Sequence, residues 1–285
     1  MALPLEKLGT TYPPRTTPID PDRAKQYAAA TNDPNPAYEA GKVAPPVFGV
    51  VPTWECLGQA IELVPPEVAM FVVHGEQDMH FHRPLMPGRS ITSVSQPYSV
   101  RVGGSGTRYS VTVASSDTET GEPVLTQFFT LFIRGMVDGE SGGPDKPAHD
   151  FPDEARSRKV GEHAVHVDDD QTFRYRDASG DLMPIHVDDE LARSVGLPGI
   201  IAHGLCTMAM CSRSVITTVA GDDPTRLRRL AVRFAANVFP GNDVVTDIYE
   251  AGDSMTPSVE GAIVYVFEAT SQGAVVVKNG LAEVV

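Results

Sequence analysis

The chain of 285 residues is 41% hydrophobic and 21% charged, with 25 Gly, 24 Pro and one Trp, a make-up that suits one large globular domain or two modest ones. Its 37 acidic residues outnumber the 23 basic ones, giving a net charge of −14 and a pI near 4.9, so its field repels nucleic acid and anionic membrane surfaces. No run approaches the ~20 apolar residues of a membrane span, and "MALPLEKLGTTYPPRTTPIDPD" has neither the basic start nor the apolar core of a signal peptide, so a cytoplasmic protein is expected.

In chain order, the first feature is "YAAATNDPNPAY", which holds Tyr27, Asp33, Asn35, Pro36 and Tyr38. The stretch from Pro46 to Val64 follows, apolar nearly all round, and predicts a buried helix. Four strands are then predicted, "AMFVVHGEQDMHF", "RSITSVSQPYSVRV", "TRYSVTVASSDT" and "PVLTQFFTLFIRG". The run "GGSG" lies between two of them with no helix after it, which makes it a hairpin turn rather than a phosphate cradle. His80 and His82 share a strand face, but no third ligand stands at a metal-site spacing, and His163 and His166 sit in a polar segment; no metal is expected.

Residues 135–160 are rich in Gly, Pro and charge without apolar periodicity, and read as a linker between a first unit, 1–134, and a second, 161–285. The second unit runs through "YRDASGDLMPIH", a longer connection, and the apolar stretch Ile200 to Val219, again a predicted buried helix. Four more strands follow, "RLAVRFAANV", "DVVTDIYEA", "AIVYVFEATS" and "AVVVKNGLAEVV". Arg226, Arg228, Arg229 and Arg233 cluster here, with Arg213 upstream, as either a carrier-phosphate patch or a solvated strand edge. Cys56, Cys206 and Cys211 have no pairing spacing and read as small buried apolar residues.

The two units echo each other. Tyr27, Asp33, Pro36 and Tyr38 recur as Tyr175, Asp181, Pro184 and His186 at a constant offset of 148, and Pro45, Phe81 and Pro87-Gly88 recur at an offset of 153. A long apolar helix followed by antiparallel strands, twice, implies α+β units in which a sheet wraps its helix.

Chemistry concentrates in the second unit. Asp181 and His186 lie five residues apart across Pro184, and Gly204 opens the predicted helix, whose N-terminal amides suit an oxyanion. "YRDASGDLMPIHVDDELA" followed by "LPGIIAHGLCTMAMCSRS" resembles the hydratase 2 motif, D-x-N-P-x-H, of the MaoC-like enoyl-thioester hydratases, whose fold is the hot dog, here in its double form. The resemblance implies that Asp181 and His186 are the catalytic pair, that the Gly204 amide receives the thioester oxygen, and that Ser212 supports the site. Met183 departs from the motif's asparagine. The first unit keeps Asp33 and Asn35 but has Tyr38 for the histidine and Val51 for the glycine, so it is expected to be the degenerate half that widens the acyl tunnel.

The implied activity is reversible hydration of trans-2-enoyl thioesters to (3R)-3-hydroxyacyl thioesters, with coenzyme A as carrier or an acyl carrier protein in its place. It needs no metal or redox cofactor. A 3-hydroxyacyl-carrier-protein dehydratase of lipid or polyketide assembly shares this chemistry; a hot-dog thioesterase or a non-catalytic acyl-thioester-binding partner are the other readings. A homodimer is a natural further pairing of chains.

Overall fold

The structure is a computed structural model that describes residues 2–285. The first half runs through β1 (Arg15–Pro18), α1 (Pro21–Ala30), α2 (Pro36–Glu39), a 3-10 segment Pro46–Thr53, α3 (Trp54–Ile61), and the strands β2 (Val72–Phe81), β3 (Ser90–Gly103), β4 (Gly106–Asp117) and β5 (Pro123–Arg134). The second half repeats it with β6 (Lys159–Val167), α4 (Gln171–Ser179), a 3-10 turn Pro184–His186, α5 (Asp189–Ser194), α6 (Gly204–Val219), β7 (Leu227–Phe234), β8 (Asn242–Glu250), β9 (Ile263–Ser271) and β10 (Ala274–Val284).

Among the described residues the strands form one ten-stranded antiparallel sheet, in the order β1-β3-β4-β5-β2-β7-β10-β9-β8-β6. The order of one half is the order of the other run backwards, so a pseudo-two-fold axis passes between β2 and β7, which pair from Glu76↔Arg233 to His80↔Arg229. Each half is the α+β hot-dog unit, and the chain is a double hot dog. Tyr27 and Tyr175, the pair read at an offset of 148, meet across this axis with their hydroxyls 3.2 Å apart.

The eight strands expected from the sequence all form, within a few residues of their expected ends, and two edge strands, β1 and β6, join them. β6 begins at Lys159, inside the segment expected to be linker, and carries His163 and His166; its polar, half-exposed face suits a sheet edge and hides the strand period. One element differs in kind. The expected helix Pro46–Val64 is a 3-10 segment up to Thr53 and an α-helix only from Trp54. Pro52 lacks the N–H group an α ladder needs, and Gly49 lets this segment lie so close to β5 that a Cβ there would overlap Leu125 Cδ2 at 2.6 Å. Helix α6 has no such breaks, and its residues from Leu205 to Ser212 are buried without interruption.

Residues 146–149 cross the outer face of the sheet over the β2–β7 junction and bury charge beneath them. Arg229 donates from Nε and Nη2 to the two carboxylate oxygens of Asp78 at 3.0 and 2.8 Å, and its Nη1 lies 3.5 Å from Glu283. Lys146 and Arg233 both pair with Glu76, and Arg229 also donates to Ala148 O at 3.0 Å. The arginines expected as one phosphate patch are therefore not one patch. Strand alternation turns Arg229 and Arg233 to this outer face, where the acids of β2 and β10 neutralise them.

Candidate active site

Helix α4 stops because Gly180 takes a left-handed conformation, φ +78°, and donates its N–H to Arg176 O at 2.8 Å. The chain then turns on Asp181, whose Oδ1 accepts the Met183 N–H at 3.1 Å. Pro184 starts the single 3-10 turn that ends at His186. The first half makes the same turn at Asp33, whose Oδ1 accepts the Asn35 N–H at 3.2 Å. There Asn35 also caps α2 by accepting the Ala37 N–H at 3.0 Å and donates to Asp222 O at 2.8 Å. Met183 takes nearly the same backbone angles as Asn35, φ −59° and ψ 119° against −57° and 122°, but caps nothing and lies exposed. The motif's missing amide thus leaves the turn's shape intact and removes two of its fastenings.

His186 is buried, and its Nδ1 lies 2.8 Å from Ile201 O. A carbonyl only accepts, so Nδ1 carries the hydrogen and Nε2 is left with a lone pair. Burial holds the ring below the ordinary histidine pKa, against an opposing pull from the Ile201 carbonyl and the Asp181 charge. His203 stacks on it, with ring centroids 3.7 Å apart and planes at 26°; burial pushes its pKa down to about 3, against a weaker opposing pull from the Asp181 backbone.

A carboxylate oxygen of Asp181 and one ring nitrogen each of His186 and His203 lie within 4.8 Å of one another. Groups no farther apart than this can both hydrogen-bond one water. The three side chains also count as the one cluster among the described residues close enough to hold a metal ion.

Gly204 is the first residue of α6, and the preceding His203 gives the helix no side-chain cap, so the leading amides keep their partial positive charge. Asp181, His186 and Gly204 share the wall of one cavity of about 480 Å³. The rest of its lining is mostly apolar and comes from both halves, with Trp54, His74 and Phe129 from the first and Leu205, Phe234 and Val276 from the second. His74 is stacked on Phe129 at 3.8 Å and burial pushes its pKa down to about 3, so it contributes a neutral ring.

The other expected site residues lie elsewhere. Ser212 is mid-helix in α6, buried, with its hydroxyl unpartnered and off the cavity wall. Arg213 donates to Asn32 O, Arg226 to Val285 O and Ala220 O, and Arg228 is half-buried on β7. No arginine of this group lines the cavity. In the first half Tyr38 is buried against Ala28 and Val43 with no partner for its hydroxyl, and burial raises the Asp33 carboxyl to about 6. His80, on β2, lies 3.2 Å from the buried Asp78, and His82, just past the end of β2, lies 2.9 Å from Thr126 Oγ1. The three cysteines are free and buried.

A helix wrapped by a sheet, twice over, with an acid, a neutral imidazole and a helix N-terminus converging in one apolar cavity, defines a double hot-dog protein of the hydratase and dehydratase class. The profile of the MaoC like domain matches residues 153–266, and that of the FAS1-like, dehydratase domain region matches residues 6–127. The second half thus carries a MaoC-like domain and the first a FAS1-like dehydratase-region domain. The chain is 27% identical over 215 residues to a probable enoyl-CoA hydratase 2 of Dictyostelium discoideum, covering 75% of this chain and 70% of that one. It is 28% identical over 218 residues, 74% of its length, to a peroxisomal hydratase-dehydrogenase-epimerase of Neurospora crassa, and spans only 24% of that larger protein. The crystal structure of a MaoC-like dehydratase from Phytophthora capsici superposes with a TM-score of 0.84 at 24% identity, covering 99% of this chain and 98% of that one.

Proposed function

We propose that this protein catalyses the reversible addition of water to trans-2-enoyl thioesters of coenzyme A, giving (3R)-3-hydroxyacyl thioesters. The observation that carries this reading is the convergence of Asp181, His186 and Gly204 on one cavity, with acid and imidazole within 4.8 Å of each other. The acyl chain occupies the apolar part of the cavity, with C3 over the water held between the Asp181 carboxylate and His186 Nε2. The pair accepts one proton as the water oxygen bonds to C3; the alkene electrons move toward the thioester oxygen, which the Gly204 amide receives, and a proton returns from the pair to C2.

The first half, residues 1–134, serves as acyl-cavity wall rather than as a second centre, since a phenol stands where the imidazole would be; the segment 135–160 joins it to the catalytic half, 161–285. A cytoplasmic location, an acyl carrier protein as alternative carrier and a homodimer belong to the same proposal.

The test uses crotonyl-CoA and a longer trans-2-enoyl-CoA, following loss of the conjugated enoyl absorbance with a thiol reagent in parallel. Loss without free thiol is the expected result, and Asp181→Asn and His186→Gln each slow it by about 10²–10⁴-fold. Release of free thiol makes the protein a thioesterase, and no change in either signal leaves it a binding protein.

A further inference from the structure

The loop that carries Asp181 is held from the other half of the chain. Helix α4 ends at Ser179, and its last carbonyls have no partner within the helix. Arg23, in α1, donates from Nε to Ala178 O and from Nη2 to Ser179 O, both at 2.9 Å. The indole Nε1 of Trp54, the first residue of α3, donates to the same Ser179 O at 3.0 Å. Ser179 in turn accepts the Asp181 N–H on its hydroxyl at 3.1 Å. Between them Gly180 is in the left-handed region, and a Cβ there would come within 2.7 Å of Arg23 Nη2, so the guanidinium fills the space beside the turn.

These contacts matter because the Asp181 side chain makes few bonds of its own. The hydrogen bond its side chain makes within the described residues is the one from Met183 N, and the asparagine that fastens the matching turn of the first half is absent. Three donors from the first half end instead on the two carbonyls just ahead of Gly180. The positive guanidinium at a helix C-terminus is favoured by the helix dipole, and no carboxylate among the described residues draws it away.

We propose that Arg23 and Trp54 are positioning residues for Asp181: by gripping the end of α4 across the pseudo-two-fold interface, they set where the carboxylate stands against His186. The proposal rests on the hydration reading above. It gives the half without a catalytic pair a part in the rate as well as in the cavity wall. A carboxylate displaced by about 1 Å can cost roughly 10²-fold in rate, so the brace shows in kcat.

The experiment measures kcat and KM with crotonyl-CoA for the full chain and for Arg23→Gln, Arg23→Ala, Trp54→Phe and Asp181→Asn. Arg23→Gln is expected to lower kcat about 10- to 100-fold with KM within about 2-fold of wild type. Trp54→Phe, which loses one donor of three, falls less. Millimolar guanidinium restores part of the rate of Arg23→Ala, and amide hydrogen exchange quickens at residues 180–183 while that of α6 is unchanged. Wild-type kcat in Arg23→Gln, beside an inactive Asp181→Asn, overturns the brace and leaves the hydration reading standing. So does a slow Arg23→Ala that guanidinium fails to restore and whose exchange is faster throughout the chain. A wild-type protein that hydrates no enoyl thioester overturns both.

Discussion

His186 is placed to work as a neutral ring. Its Nδ1 hydrogen is committed to Ile201 O, which leaves the lone pair on Nε2, the ring lines the cavity, and burial keeps its pKa below the usual value of about 6.5. The stacked His203, held neutral by burial as well, adds no charge of its own. The sign follows directly: the active form is the unprotonated one, so kcat/KM should hold level as pH falls through 6.5, where an ordinary histidine would already be losing activity. Only below the lowered pKa should it drop. Asp181 pulls that pKa upward, so in the residual activity of Asp181→Asn the acid limb should move to still lower pH. A pH profile of kcat/KM on both proteins checks both statements; an acid limb centred at or above 6.5 in the wild type contradicts the geometry. Met183 shows how a motif residue can be lost at this scale: Pro184 and the Asp181 carboxylate still bend the chain, while the asparagine's cap and cross-link are gone.

At the scale of elements, the N-terminus of α6 is where local structure becomes chemistry. Gly204 is its first residue, and the preceding His203 is extended at φ −62° and ψ 138°, a conformation that tolerates a following proline. Proline at 204 therefore keeps the helix and deletes one N–H, whereas alanine keeps both, its Cβ meeting the Phe234 ring at an ordinary 3.4 Å. Gly204→Pro is expected to lose roughly 10²–10³ in kcat and Gly204→Ala to stay near wild type, with helical content by circular dichroism unchanged in both. Equal activity in the two variants would remove the amide from the mechanism. The matching element of the first half shows the reverse case, since Pro52, inside the segment, leaves only the eight residues of α3 as α-helix.

Across the whole molecule, two five-stranded halves are fused edge to edge at β2 and β7, and the seam is charged rather than apolar on its outer face. Arg229 there neutralises Asp78 and sits against Glu283, all three nearly inaccessible to solvent. Arg229→Ala strands two buried carboxylates and should cost about 3–5 kcal/mol of stability, read by chemical denaturation. The folded variant should retain its kcat, because none of these groups lines the cavity. A phosphate-binding role for Arg229 predicts the opposite pattern, a raised KM for the coenzyme A substrate and little loss of stability.

Much of this was legible in the residues alone. Alternating hydrophobicity marks eight of the strands, the offset of 148 marks the pair of tyrosines that meet on the pseudo-two-fold axis, and the spacing of Asp181, Pro184 and His186 marks the turn that holds the acid near the imidazole. These are local matters: side-chain period, proline and glycine geometry, and turn hydrogen bonds act over a few residues. What the tertiary structure alone decided depends on how the halves meet. The cavity takes Trp54, His74 and Phe129 from a half with no catalytic motif, Arg23 reaches the end of α4, and Arg229 turns to buried acids instead of a phosphate. No local pattern carries those contacts, because each joins residues more than a hundred positions apart or picks one face of a strand over the other, and only the assembled sheet sets both.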